Sequence, residues 1–293
     1  GMFCGSMVAV VTPMADDGSI DAVAWQRLLE WHVAEGTDAI VVGGTTGESP
    51  TLTAGEIAEL TERALSIVKG RIPVIVGTGT NSTASTVERT HRLSRLGVAG
   101  VLIVTPYYNR PPQEGLYRHF MAAADASQVP VILYNVPGRT AVDLLPATVA
   151  RLASHPRIVA VKEAAGQLHR VREILDGCPQ GFTVLSGEDA IACQSMLAGA
   201  RGVISVTANV APRSMHELSV AATRGDAARA ALIDAELAEL HERLFVEANP
   251  IPVKWALAEM GMISGGLRLP LIPLAGEHHD ALRAALRRAR VLN

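Results

Sequence analysis

The stretch Ile158-Val159-Ala160-Val161-Lys162-Glu163 delivers a lysine at the end of a short apolar run. Lys69, Lys162 and Lys254 are the only lysines in the chain, and the first and last fall in segments that read as surface helix ends. Lys162 alone sits at the mouth of an expected strand. An amine there can lose solvation, which favours its neutral, nucleophilic form. The plainer alternative is a strand-end lysine reaching water. Side chains alternate along a strand, so Lys162 and Glu163 point apart and Glu163 is not an automatic counter-ion.

Other groups fall at comparable places. Gly43-Gly44-Thr45-Thr46-Gly47-Glu48 follows another apolar run and precedes a helical pattern beginning near Ala54. Backbone N–H groups and the helix-end dipole together would make an anion site suited to a carboxylate or phosphate. A tight turn without a ligand is the alternative. Tyr107, Tyr108 and Tyr134, three of only four tyrosines, lie where two further runs end. A phenol bonded to a hydroxyl such as that of Thr45 can relay protons; tyrosines that merely cap a barrel are the bland reading. Arg139 offers a planar fork for a carboxylate, or is a surface arginine. Amine, anion turn, phenol and guanidinium together describe Schiff-base chemistry on a small keto acid. Gly77-Thr78-Gly79-Thr80-Asn81 lacks the closing residues of a P-loop, and His278-His279 and the other histidines have no metal-ligand spacing, so no metal or cofactor is expected.

Elements able to position these groups repeat along the chain. Apolar, β-branched runs at residues 7–12, 39–43, 73–77, 100–105, 130–135, 158–162, 183–186 and 202–206 alternate with helical patterns at 22–36, 54–69, 82–96, 113–126, 146–154, 168–177 and 190–199. Eight parallel strands with intervening helices most simply close into an α/β fold of the (β/α)8 TIM-barrel type. An open doubly wound sheet is the runner-up, but Thr12-Pro13-Met14 after the first run carries no dinucleotide or P-loop glycines. Beyond residue 212 helical patterns at 215–223, 227–247, 252–260 and 277–291 supply the last barrel helix and a C-terminal helical appendage. The expected division is a barrel over residues 1–224 and a helical domain over 225–293 packed on it.

With 48% hydrophobic and 19% charged residues in 293, the chain is too apolar for disorder, yet no apolar run is long enough to span a bilayer. A net charge of −3 with scattered basic residues offers no nucleic-acid footprint. Cys4, Cys178 and Cys193 are an odd, widely spaced set that fits a reduced, cytoplasmic protein. The opening Gly1-Met2-Phe3-Cys4 carries no signal-peptide pattern, and Gly1 reads as a leftover of an expression tag.

Residues 43–52 (GGTTGESPTL), 104–116 (VTPYYNRPPQEGL), 134–140 (YNVPGRT), Val161-Lys162-Glu163, Ser186-Gly187-Glu188-Asp189 and 202–209 (GVISVTAN) resemble, in order and nearly end to end, the dihydrodipicolinate synthase (4-hydroxy-tetrahydrodipicolinate synthase) family of the N-acetylneuraminate lyase superfamily. The resemblance implies condensation of pyruvate with aspartate semialdehyde at the entry to lysine and diaminopimelate biosynthesis. It implies that Lys162 forms the imine with pyruvate and that Thr45 and Thr46 receive the pyruvate carboxylate. Tyr134, Thr45 and Tyr108 would relay protons, Tyr108 reaching a neighbouring subunit's site, and Arg139 would hold the semialdehyde carboxylate. Gly187 and Ile204 match pocket-lining positions, and a homotetramer built as a dimer of dimers is implied. Pyruvate-dependent sugar-acid aldolases on the same barrel, such as N-acetylneuraminate lyase, are the alternative; Arg139 argues against them because a polyhydroxy aldehyde has no carboxylate to meet it. A catalytically silent keto-acid binder is a third reading. Family members inhibited by lysine carry two histidines and a glutamate where this chain has Ala54, Ile57 and Ser85, while Asn81 is retained, so weak or absent lysine feedback is expected.

Overall fold

The structure, a computed structural model, describes residues 3–293; the reading of Gly1 and Met2 lies outside them. Eight strands form a closed parallel barrel in chain order: β1 (Gly5–Ala9), β2 (Ala39–Val42), β3 (Val74–Gly77), β4 (Gly100–Val104), β5 (Val131–Asn135), β6 (Ile158–Glu163), β7 (Thr183–Ser186) and β8 (Gly202–Ser205). The ring closes through pairing of β8 with β1. Asn209 reinforces that seam, its Oδ1 accepting from Val11 N at 3.1 Å while its Nδ2 donates to Ala9 O at 2.8 Å.

Between the strands run α1 (Ala22–Ala34), α2 (Ala54–Val68), α3 (Thr83–Leu93), α4 (Gln113–Ala126), the short α5 (Pro137–Thr140), α6 (Pro146–Leu152), α7 (Arg170–Gly177) and α8 (Asp189–Leu197). After β8 come α9 (Pro212–Thr223), α10 (Ala227–Arg243), α11 (Ile251–Glu259) and α12 (His279–Arg288), with α10 lying against α8, α9 and α12. The expected (β/α)8 TIM barrel with C-terminal helices is the fold found. The unanticipated α5 is a single turn started by Pro137, whose fixed φ and missing N–H suit the first helical position.

Two apolar layers follow from strand alternation. Met7, Val41, Ile75, Leu102, Ile132, Leu185 and Ile204 fill the barrel interior, whereas Val8, Ile40, Val42, Val74, Val76, Val101, Val131, Val184 and Val203 pack outward against the helices. Strand β6 breaks the alternation at its start. Val131 pairs with Ile158, but Ile132 pairs with Ala160, so Val159 is an extra residue on β6. Ile158 and Val161 therefore both face outward while Ala160 faces inward, and the phase carries Lys162 to the inside beside Tyr134, its register partner on β5.

Candidate active site

The barrel's C-terminal strand ends open into a cavity of about 750 Å³. Its lining includes Lys162, Tyr134, Thr45, Thr46, Arg139, Gly187 and Ile204. All the site residues read from the sequence except Tyr108 thus meet at one place, as functional groups on such barrels do.

Lys162 is 6% exposed, and its Nζ lies 3.9 Å from the centroid of the Tyr134 ring. Among the described residues it has no ion-pair partner. Glu163 points the other way, behind the strands, where its Oε1 accepts from Asn135 Nδ2 at 3.0 Å and from Ala165 N at 2.9 Å. Arg170 Nη1 stands 4.0 Å from it and forks onto Asp143 at 2.8 and 2.6 Å. Burial pushes the Glu163 carboxyl up to about 7, with Arg170 and the N–H donors opposing. This network ties together the residues that follow Tyr134 and Lys162 on their strands, so it braces the ends that present phenol and amine. The main chain adds a bond from Gly187 N to Glu163 O at 2.9 Å, which seats Gly187 against the lysine stem.

The turn after β2 is held by bonds from Gly47 N and Ser49 N to Gly44 O and from Glu48 N to Thr45 O. Among the described residues neither Thr45 N nor Thr46 N has a protein acceptor, leaving two donors at the cavity wall. The α2 terminus contributes less than expected: Thr53 and Glu56 form a capping box that takes up each other's N–H groups, and none of the first-turn residues lines the cavity, so the free donors at its wall are those of the turn. No hydrogen bond joins Tyr134 to Thr45 among the described residues. Arg139 is exposed, with Nη2 3.4 Å from Asn249 O.

Tyr108 stands apart from this cavity. It is 87% exposed, has φ 75, and lines an adjoining cavity of about 520 Å³ that Thr45 and Arg139 also border. Its N–H donates to Thr140 O at 3.2 Å.

One reading of the lysines is overturned. Lys69 caps the end of α2 and is exposed, but Lys254 is wholly buried, its Nζ 2.6 Å from Glu48 Oε2. The helix carrying it also buries Ile251, Pro252, Val253, Ala256 and Leu257. Asn249, just before that helix, is the other residue missed: its Nδ2 donates to Thr46 Oγ1 at 2.9 Å.

A closed parallel barrel whose C-terminal mouth gathers a buried amine, a phenol and free backbone donors is that of a TIM-barrel enzyme. More narrowly, the chain belongs to the dihydrodipicolinate synthetase family, whose profile matches residues 2–289. It is 55% identical over 291 residues to the 4-hydroxy-tetrahydrodipicolinate synthase of Methylococcus capsulatus, covering 99% of this chain and 100% of that one. The synthase of Azoarcus sp. is 52% identical, with 99% of each chain covered. Among solved structures, dihydrodipicolinate synthase from Acinetobacter baumannii, complexed with pyruvate, superposes with a TM-score of 0.97 at 48% identity over 99% of both chains. That from Aquifex aeolicus gives 0.96 at 45%, again over 99% of both.

Proposed function

We propose that this enzyme condenses pyruvate with L-aspartate 4-semialdehyde to give 4-hydroxy-tetrahydrodipicolinate, through an imine on Lys162. The observation that carries the reading is the convergence of Lys162, Tyr134, Thr45, Thr46 and Arg139 on one cavity in a chain whose full-length relatives bear that synthase name. The amine of Lys162 attacks the pyruvate ketone and water leaves. The protonated imine is an electron sink that acidifies the methyl group, so an enamine forms near neutral pH and adds to the aldehyde carbon. Attack by the substrate's own amine closes the ring and releases Lys162. The free N–H groups of Thr45 and Thr46 receive the pyruvate carboxylate, and Arg139 the semialdehyde carboxylate. Gly187 and Ile204 wall the pyruvate pocket.

Tyr134 and Thr45 pass protons, and Tyr108 completes the relay in a neighbouring subunit. What supports the last role is a tyrosine held at φ 75 with 87% of its surface free. The reading implies a cytoplasmic homo-oligomer, a tetramer of paired dimers; one solved relative, 43% identical, is described as a monomeric variant, so oligomeric state varies among such chains. Borohydride reduction in the presence of pyruvate, read by mass, tests the imine: the adduct maps to Lys162 and is lost in Lys162→Ala. Turnover of pyruvate and aspartate semialdehyde, coupled to the next reductase, tests the reaction. Turnover with a sugar-derived aldehyde but not with the semialdehyde would move the assignment to a sugar-acid aldolase.

A further inference from the structure

The reaction leaves unexplained the buried ion pair of Glu48 and Lys254, which stand 206 residues apart in the chain and whose side chains are 1% and 0% exposed. An ion pair out of water is often no more stabilising than apolar groups of the same volume. Geometry supplies a different role. Glu48 ends the Gly43–Glu48 turn with φ 63 and ψ 37, a left-handed backbone that side chains other than glycine or asparagine seldom adopt. Its Oε2 accepts from Lys254 on α11, and its Oε1 accepts from Arg268 N at 3.2 Å. Arg268 in turn donates to Thr51 O at 2.7 Å and forks onto Glu56 at 2.8 and 2.6 Å. Asn249 holds Thr46 Oγ1, while its backbone oxygen meets Arg139. Residues 249–268 therefore grip the turn at Thr46 and again just beyond its free donors. Lys254 does not line the cavity and is committed to Glu48, so it is no rival to Lys162 as nucleophile.

We propose that the Glu48–Lys254 pair, aided by Asn249, is a clamp through which the C-terminal helices hold the Thr45–Thr46 turn in its carboxylate-receiving shape. This deepens the reading given above and rests on it. Glu48 and Lys254 are positioning residues: they fix donors that can then meet a carboxylate without reorganising.

The test uses the full-length protein and two ketones, pyruvate and acetone, the second lacking a carboxylate. Lys254→Met alone strands a buried carboxylate and can fail to fold; Glu48→Gln/Lys254→Met removes both charges and is the informative variant. With folding checked by thermal melting, the pyruvate concentration that half-saturates borohydride trapping on Lys162 should rise about tenfold in the double variant. The trapping rate with acetone should stay at the wild-type value. Unchanged pyruvate dependence in the folded double variant overturns the clamp, and so does a parallel loss with both ketones, which marks a merely structural pair. Failure of the parent reading is distinct: wild-type protein would then trap no pyruvate on Lys162.

Discussion

Gly187→Ala gives the sharpest test of how the pocket wall sets the lysine. A Cβ at this position would lie 2.8 Å from Ala164 Cβ and 3.2 Å from both Glu163 O and Lys162 Cγ. Carbon atoms pack best at about 3.5–4.0 Å, so the closest approach is short by roughly 1 Å. The bond from Gly187 N to Glu163 O ties the two strand ends together, so relief must come from spreading them or turning the lysine stem. Overpacking of this kind costs about 1–3 kcal/mol, and each kcal/mol lowers the melting temperature of a chain this large by about 2–4 °C. A shift of about 1 Å at the attacking amine should slow imine formation on the order of 100-fold. Single-turnover trapping with pyruvate and borohydride, followed by mass, measures the rate, and calorimetry the stability. Gly138→Ala, beside Arg139 but with nothing within 4 Å of the added carbon, is the control and should trap pyruvate at the parental rate. A Gly187→Ala protein that melts and traps pyruvate like its parent would refute the argument that this wall positions Lys162.

The pH behaviour gives two further tests. Folding raises the Glu163 carboxyl from 4.5 to about 7, so the stability it contributes is full below about pH 4.5 and is lost as pH rises through 7. Glu163→Gln should remove a decline of about 3 kcal/mol between pH 5 and 8; denaturant midpoints with the same pH slope in both proteins would refute it. Glu56 runs the opposite way, held down at about 2 by hydrogen bonds from Arg268, so its contribution is present above about pH 4.5 and disappears as pH falls toward 2. Glu56→Gln keeps the helix cap but should destabilise the protein by about 1–2 kcal/mol at pH 7, allowing for a pair that is partly solvated, with most of that difference gone by pH 2; equal urea midpoints at pH 7 would count against it. Thiol reagents at pH 8 should label the exposed Cys4 at once, while Cys178, whose thiol burial pushes up to about 11, and buried Cys193 react slowly. A second prompt thiol would contradict the burial described. With Ala54, Ile57 and Ser85 in the places noted above, submillimolar L-lysine should leave steady-state turnover unchanged, and strong inhibition there would overturn that expectation.

The strands were legible because a barrel strand is an unbroken β-branched run between turn residues, and the mouth residues were legible because they follow those runs directly. Lys254 was not, although a signal existed: Ile251-Pro252-Val253-Lys254-Trp255-Ala256-Leu257 is apolar on every side of the lysine, which marks a buried helix rather than a surface end. Its partner Glu48 lies in a turn whose distance from residue 254 no local pattern encodes. Asn249 is hidden for the same reason, since its bond to Thr46 spans 203 positions. The α2 cap was readable as Thr53 followed three residues on by Glu56, a pairing that takes up two of the donors at the helix end. Tyr108 shows where a single chain ceases to inform, because its exposed ring meets nothing within its own fold that explains it.

Strand β6 holds a lesson about parity. Counting in twos from Ile158 assigns even-numbered residues to the helix-facing side, and residue 162 with them; the supernumerary Val159 reverses the count. Drawing Val159 into the ladder as an ordinary paired residue would exchange the two faces downstream, rotating the amine out among α6 and α7 and turning Glu163 into the lumen. Whether one peptide unit, remote from any reacting atom, bulges or pairs thus decides which functional group the barrel offers to its contents.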